Sequence, residues 1–129
     1  MLIKIDHTAI TCKDLTTSLK FYTEVLGFIE INRLDFPENK MHLVYVEKNG
    51  DKIELFGYDK PVETISRKTD NPIVGFTHLA LLVENLDQMT ELLKQKGVHF
   101  DTEPMDAKGE VRIAFFKDPD GNVIELIER

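Results

Sequence analysis

The stretch Asn122-Val123-Ile124-Glu125-Leu126-Ile127, directly behind the turn Asp118-Pro119-Asp120-Gly121, decides how this chain is read. It has a counterpart in Lys52-Ile53-Glu54-Leu55-Phe56, directly behind Asn49-Gly50-Asp51. In each, a glutamate sits on an apolar, strand-like run that follows a glycine-containing turn. A carboxylate flanked by Ile and Leu is costly to bury without a partner, and a metal ion is one such partner. From Glu54 to Glu125 is 71 residues; from His7 to His78, two histidines on apolar runs of their own, is again 71. One offset shared by two residue types marks a duplicated unit that supplies one His and one Glu each time.

Working outward, each glutamate run closes a β-α-β-β-β series. Residues 2–12 read as a strand around His7, and Asp14 offers a cap for a helix carrying Leu15, Leu19, Tyr22 and Leu26 at helical spacing, stopped by Gly27. Strands are expected near 28–36, 41–47 and 52–57. The order then repeats: a strand over 75–83 around His78, a helix from the cap Asn85 to about residue 96, and strands near 98–104, 111–117 and 122–128. At the offset of 71, Asp14 falls on Asn85, Leu15 on Leu86, Gly50 on Gly121 and Leu55 on Leu126, with a one-residue adjustment at Gly27 against Gly97. The fold class is α+β: one domain over 1–129, whose modules 1–58 and 74–129 are joined by the polar loop 59–73 and form a curved mixed sheet, or cup.

Alternation along a strand turns Ile124 and Leu126 toward the helix and Glu125 to the opposite side. The same rule separates His78 from Leu79 and Leu81. Counting around the second hairpin puts Ala114 across from Glu125, with Arg112 on that face. Two such modules facing each other would gather His7, Glu54, His78 and Glu125. Two imidazoles and two carboxylates suit Ni(II), Zn(II), Co(II) or Fe(II) better than Ca(II) or Mg(II). Any one of these residues alone would read as an ordinary hydrogen-bonded histidine or a cross-strand-paired glutamate; the paired spacing lifts the four. His42 and His99 have no such partner, since Ile113 and Phe28 stand at the corresponding places. Arg112 reads either as a clamp for a substrate carboxylate or as half of an ion pair.

Composition narrows the partners. A net charge of −7 without a basic cluster argues against nucleic acid or an anionic membrane. No apolar run reaches membrane-spanning length, and a single cysteine, Cys12, leaves no internal disulfide, which fits a cytoplasmic protein with a small-molecule substrate. Apolar neighbours make Cys12 a buried, inert thiol.

His-Thr-Ala-Ile at 7–10, LKFYTEVLGF at 19–28, KIELF at 52–56, THLALLV at 77–83 and FFKDPDGNVIELI at 115–127 together resemble the glyoxalase/bleomycin-resistance/extradiol-dioxygenase group, the vicinal oxygen chelate superfamily. The resemblance implies paired βαβββ modules around a divalent metal held by His7, Glu54, His78 and Glu125, and a homodimer. A carboxylate at Glu54 is similar to bacterial glyoxalase I rather than to the three-ligand dioxygenases. It implies a lactoylglutathione lyase-like isomerisation of a hemithioacetal through an enediolate, with Glu125 or Glu54 as the proton carrier and Glu125 favoured. An epimerase of acyl thioesters and a metal-free ligand-sequestering protein are the rival readings. Glutathione-using members have an Arg four residues after the first His and an Asn four after the first Glu; here those places hold Thr11 and Tyr58. Arg112, or Arg67 and Lys68 in the connecting loop, could anchor a substrate instead.

Overall fold

The computed structural model describes residues 1–64 and 72–129, so Arg67 and Lys68 lie outside the described residues. The chain divides into two units, Met1–Ser66 and Arg67–Arg129. Each carries one mixed four-stranded sheet.

In the first unit, β1 (Thr8–Thr11) leads to α1 (Leu15–Lys20), a π-helical turn (Phe21–Val25), β2 (Ile29–Phe36), β3 (Met41–Lys48) and β4 (Asp51–Tyr58). Across the sheet the order is β1-β4-β3-β2. β1 runs parallel to β4, and the other neighbours are antiparallel. Asp14 caps α1 by accepting the Thr17 N–H at 2.9 Å. One face of the sheet packs under the helical segment, burying Tyr22, Leu26, Val44, Val46, Ile53 and Leu55. Cys12 is buried, as expected from its apolar neighbours. The helix comes so close to β4 that a Cβ on Gly57 would stand 2.7 Å from Leu15 Cβ. The β3–β4 hairpin closes on Asn49 and Gly50, both at positive φ (50° and 91°), the backbone of a two-residue type I′ turn.

The second unit repeats the series: β5 (Leu79–Leu82), α2 (Leu86–Gln95), β6 (Phe100–Ala107), β7 (Val111–Lys117) and β8 (Val123–Glu128), in sheet order β5-β8-β7-β6. Asn85 caps α2 through the Gln88 N–H at 2.9 Å. The core again lies between helix and sheet, with Leu86, Leu93, Ala114, Phe116, Ile124 and Leu126 buried. The one-residue adjustment has a structural cause. Leu15 to Gly27 is one residue longer than Leu86 to Gly97, and the π-helical turn takes up the extra residue, with the Leu26 N–H bonding to the Phe21 carbonyl at 3.0 Å.

The first strand of each module is shorter than expected. Among the described residues the first strands run over Thr8–Thr11 and Leu79–Leu82, while Ile3, Ile5, Val74 and Phe76 are exposed. The ladder explains this. Thr8 lies beside Ile53 and Leu79 beside Ile124, so three residues upstream the partner strand has ended in its turn, at Gly50 or Gly121. No helix among the described residues is long and apolar enough to cross a membrane.

Candidate active site

In the first unit, Ile53 and Leu55 point into the core, so Glu54 points to the face away from the helix, with β1 Ala9 beside it and β3 Tyr45 across from it. His7 precedes β1 by one residue and sets its Nε2 3.6 Å from Glu54 Oε1. Two neighbours support this pair. Asp6 Oδ2 lies 2.8 Å from His7 Nδ1, and this hydrogen bond holds the Asp6 carboxyl below its ordinary range. The edge-on ring of Tyr45 meets His7 with centroids 5.4 Å apart. Interaction of its hydroxyl with the Glu54 carboxylate, seconded by burial and by the glutamate's charge, pushes the phenol up to about 12.

The second unit repeats the arrangement with different neighbours. Glu125 projects from β8 opposite Ile124 and Leu126, beside β5 Ala80 and across from Phe115. His78 Nε2 reaches Glu125 Oε2 at 2.7 Å. The Phe115 ring meets His78 edge-on, centroids 5.6 Å apart, as Tyr45 meets His7. Both carboxylates are largely covered, Glu54 at 8% and Glu125 at 9% exposure, so each depends on the partner it has.

Each unit therefore presents one imidazole nitrogen facing one carboxylate oxygen. Among the described residues no group of three or more His, Cys, Asp or Glu side chains forms a metal-binding cluster; what the structure offers is a pair per unit. The donor types fit a borderline divalent ion. Two donors bound to one tetrahedral ion at about 2.1 Å stand about 3.4 Å apart. The 3.6 Å gap in the first unit is close to that separation, whereas the 2.7 Å contact in the second is a direct imidazole–carboxylate contact that metal binding would have to open.

Three expectations are corrected or completed by the register. Glu125 lies across from Phe115, not Ala114, because the loop after β7 has five residues rather than four: Lys117 pairs with Val123. Asp118 closes that loop by accepting the backbone N–H groups of Asp120 and Asn122, each at 2.9 Å. The one-residue shift moves Arg112 off the Glu125 face. It stands beside Glu128 and grips Asp87 of α2 with both terminal nitrogens, at 2.9 and 3.0 Å, which leaves it an ion-pair partner on the helix side. Thr11 shares the Glu54 face with Ala9, at the end of β1. Tyr58 ends β4 and borders a cavity of about 350 Å³ with His42, Asp35 and Asp59. Sequence reasoning missed Tyr45, although the Asn49-Gly50 turn pairs Lys48 with Asp51 and so carries the ladder to Tyr45 and Glu54.

Residues 4–126 match the family model described as "Glyoxalase/Bleomycin resistance protein/Dioxygenase superfamily". An uncharacterised Bacillus subtilis protein, YwkD, is 37% identical, the match covering all of both chains. A lactoylglutathione lyase of Schizosaccharomyces pombe is 36% identical over 98% of this chain; the chain spans about half of that relative's length, 47%. Among solved structures, glyoxalase I from Zea mays superimposes with a TM-score of 0.82 at 30% identity, over 98% of this chain and 44% of the maize one.

Proposed function

Because the chain belongs to the glyoxalase/bleomycin resistance protein/dioxygenase superfamily, we propose that it is a metal-dependent lyase of glyoxalase I type, isomerising a small hemithioacetal of an α-ketoaldehyde. The observation that carries this reading is the pair of half-sites, His7 with Glu54 and His78 with Glu125, at equivalent places of two like units. The four side chains would hold one divalent transition ion, Ni(II) or Zn(II) first and Co(II) or Fe(II) next. When bound, the ion supplies Lewis-acid stabilisation of negative charge developing on the substrate oxygens.

The protein's own contribution is proton transfer in an apolar setting. The Glu125 carboxylate takes the proton from the carbon between the thiol sulfur and the carbonyl. It returns that proton to the adjacent carbon while the hydroxyl proton of the hemithioacetal passes to the former carbonyl oxygen, so the hemithioacetal becomes a thioester of a hydroxy acid with no net gain or loss of protons. Around the glutamates, Leu43 and Phe56 in the first unit and Ile113 and Ile127 in the second share the face, a setting that favours exclusion of water. The likeness to a lactoylglutathione lyase supports the reaction class; Thr11 and Tyr58 argue for a thiol other than glutathione.

The proposal extends to one chain of 129 residues forming a single domain, and to a symmetric dimer. Exposed Ile3 and its repeat equivalent Val74, with Ile5 beside Ile3, support a second copy as their cover. The test is steady-state turnover of methylglyoxal adducts of several thiols by Ni(II)-loaded protein. Thioester formation above the uncatalysed rate, lost on chelation and restored by metal, is the expected result. Folded protein that takes up metal and leaves every adduct unchanged would defeat the reading.

A further inference from the structure

At one place in the ladder the two units use cations of different kinds. His42 stands across from Asp35 in β2 and Gly57 in β4, and Arg112 across from Asp106 in β6 and Glu128 in β8. Gly57 and Glu128 are 71 residues apart, so His42 and Arg112 hold equivalent positions on the helix side of their sheets. Each is gripped by two carboxylates. Arg112 reaches Asp87 at 2.9 Å and Asp106 at 3.4 Å. His42 sets Nδ1 2.7 Å from Asp35 and Nε2 2.8 Å from Asp59. A guanidinium keeps its proton at any working pH, whereas a neutral imidazole has one N–H and can donate to only one carboxylate. The clamp of the second unit is therefore permanent. That of the first is complete only while His42 carries both protons.

The two carboxylates around His42 are not held alike. Asp35 belongs to β2 and faces His42 directly across the ladder. Asp59 lies one residue beyond β4, where the chain leaves the first sheet, and its N–H donates to the Lys40 carbonyl at 3.0 Å. A ring left with one proton keeps the neighbour that the sheet fixes and turns a lone pair toward the one that can swing away.

We infer that His42 is a pH-sensitive latch: when protonated it fastens Asp59, and with it the start of the connection to the second unit; when neutral it keeps Asp35 and lets Asp59 go. The other charged or titratable groups around the cavity beside His42 are Lys13 and Asp14 ahead of α1, Arg33 in β2 and Tyr58 at the end of β4. Asp14 is taken up by the Thr17 N–H at 2.9 Å, and Arg33 pairs with Glu30 at 3.0 Å. Lys13 and Arg33 oppose a charge on the ring, and Asp14 favours it. The balance is set by the two contacts, Asp35 first and Asp59 second, which raise the His42 ionisation above 6.5 against its desolvation. The latch is closed below that raised value and opens as pH rises through it.

The experiment uses the full chain as wild type, Asp59→Asn and His42→Gln, each melted to confirm folding. Between about pH 6 and pH 9, NMR follows the His42 ring through its titration. Hydrogen exchange follows the Asp59 amide over the same range, corrected for its intrinsic rate. In wild type, Asp59 protection should fall about two- to fivefold, the scale of an exposed ion pair, with a midpoint that coincides with that of the ring. In His42→Gln the protection should be low and indifferent to pH. In Asp59→Asn the His42 midpoint should move down toward its ordinary value. Asp59 protection that does not change across the ring's titration would overturn the inference. So would a pH step that persists in folded His42→Gln, or the same His42 midpoint in wild type and Asp59→Asn.

Discussion

The two halves of this molecule agree where the backbone places a ligand and disagree one residue further out. His7 and His78 enter parallel strands at the same register relative to Glu54 and Glu125, and an aromatic ring stands edge-on to each histidine. Yet Tyr45 corresponds to Phe115 in the ladder, Asp6 to Thr77, and Gly57 to Glu128. The last difference changes how the helices are seated. Gly57 makes room for Leu15, whereas Glu128 Oε2 accepts the Leu86 N–H at 2.6 Å and caps α2 a second time. A duplicated unit keeps the positions its ladder enforces, and side chains that only support those positions are free to specialise.

That contrast can be broken most sharply at the glutamates. Glu125→Gln should lower kcat by about a thousandfold with metal retained, within the range for loss of a general base. Glu54→Gln should instead appear mainly as weaker metal binding, with turnover partly restored by excess metal. Kinetics at two metal concentrations separate the outcomes, and identical behaviour of the two variants would erase the functional difference between the halves.

A smaller effect is expected from the substrate. Thr11 and Tyr58 both lie in the first unit, on the face or strand that carries Glu54, and they lack the charge and amide that the resemblance to glutathione-using glyoxalases implies for those places. Each missing charge-assisted contact corresponds to about 1.5–3 kcal/mol, or roughly one to two powers of ten in kcat/KM. Adducts of small thiols should therefore match or exceed the glutathione adduct. A glutathione adduct processed near the diffusional range and well above the others would contradict this.

Gly57→Ala should destabilise the first unit by about 1–3 kcal/mol, because the new methyl meets Leu15 Cβ and forces a shift in helix or strand. Glu128→Ala should cost about 1 kcal/mol through the lost bond to the Leu86 N–H. Urea unfolding of the two variants measures both, and a silent Gly57→Ala would show that the close packing of α1 on β4 is dispensable.

Much of this was legible in the sequence because strand alternation and turn chemistry are local. The β-α-β-β-β order, both helix caps and the opposite orientations of Glu125 and its Ile124 and Leu126 neighbours follow from residue types alone. The parts that were not legible depend on counting across space. The five-residue loop closed by Asp118 shifted one ladder by a residue, which exchanged Ala114 for Phe115 and carried Arg112 to Asp87. Ile3 and Phe76 have the composition of a strand but lie beyond the end of the partner strand in their unit. Tyr45 needed only the register of the Asn49-Gly50 hairpin, since its role is set by the residue opposite and not by any motif of its own.

The smallest expected effect is a pH dependence confined to the first unit. His42 sends both ring nitrogens to carboxylates, Nδ1 to Asp35 at 2.7 Å and Nε2 to Asp59 at 2.8 Å. Both contacts are donor bonds only when the ring is protonated, and these bonds, Asp35 first, raise the His42 ionisation above 6.5. A raised native value means that the stabilisation is complete below the unfolded value near 6.5 and is lost as pH rises through the native one. Urea midpoints should fall from pH 6 to pH 8 more in wild type than in His42→Gln; equal slopes would remove the effect.

The most direct test of the whole account is a metal titration of the full chain with its two histidine variants. The four proposed ligands are drawn equally from both units, so one divalent ion should bind per chain, with His7→Ala and His78→Ala each weakening Ni(II) or Zn(II) binding at least about tenfold. Folded wild-type protein that cannot be loaded, or a metal site that loses affinity with one histidine and is indifferent to the other, would contradict a single centre built from both halves.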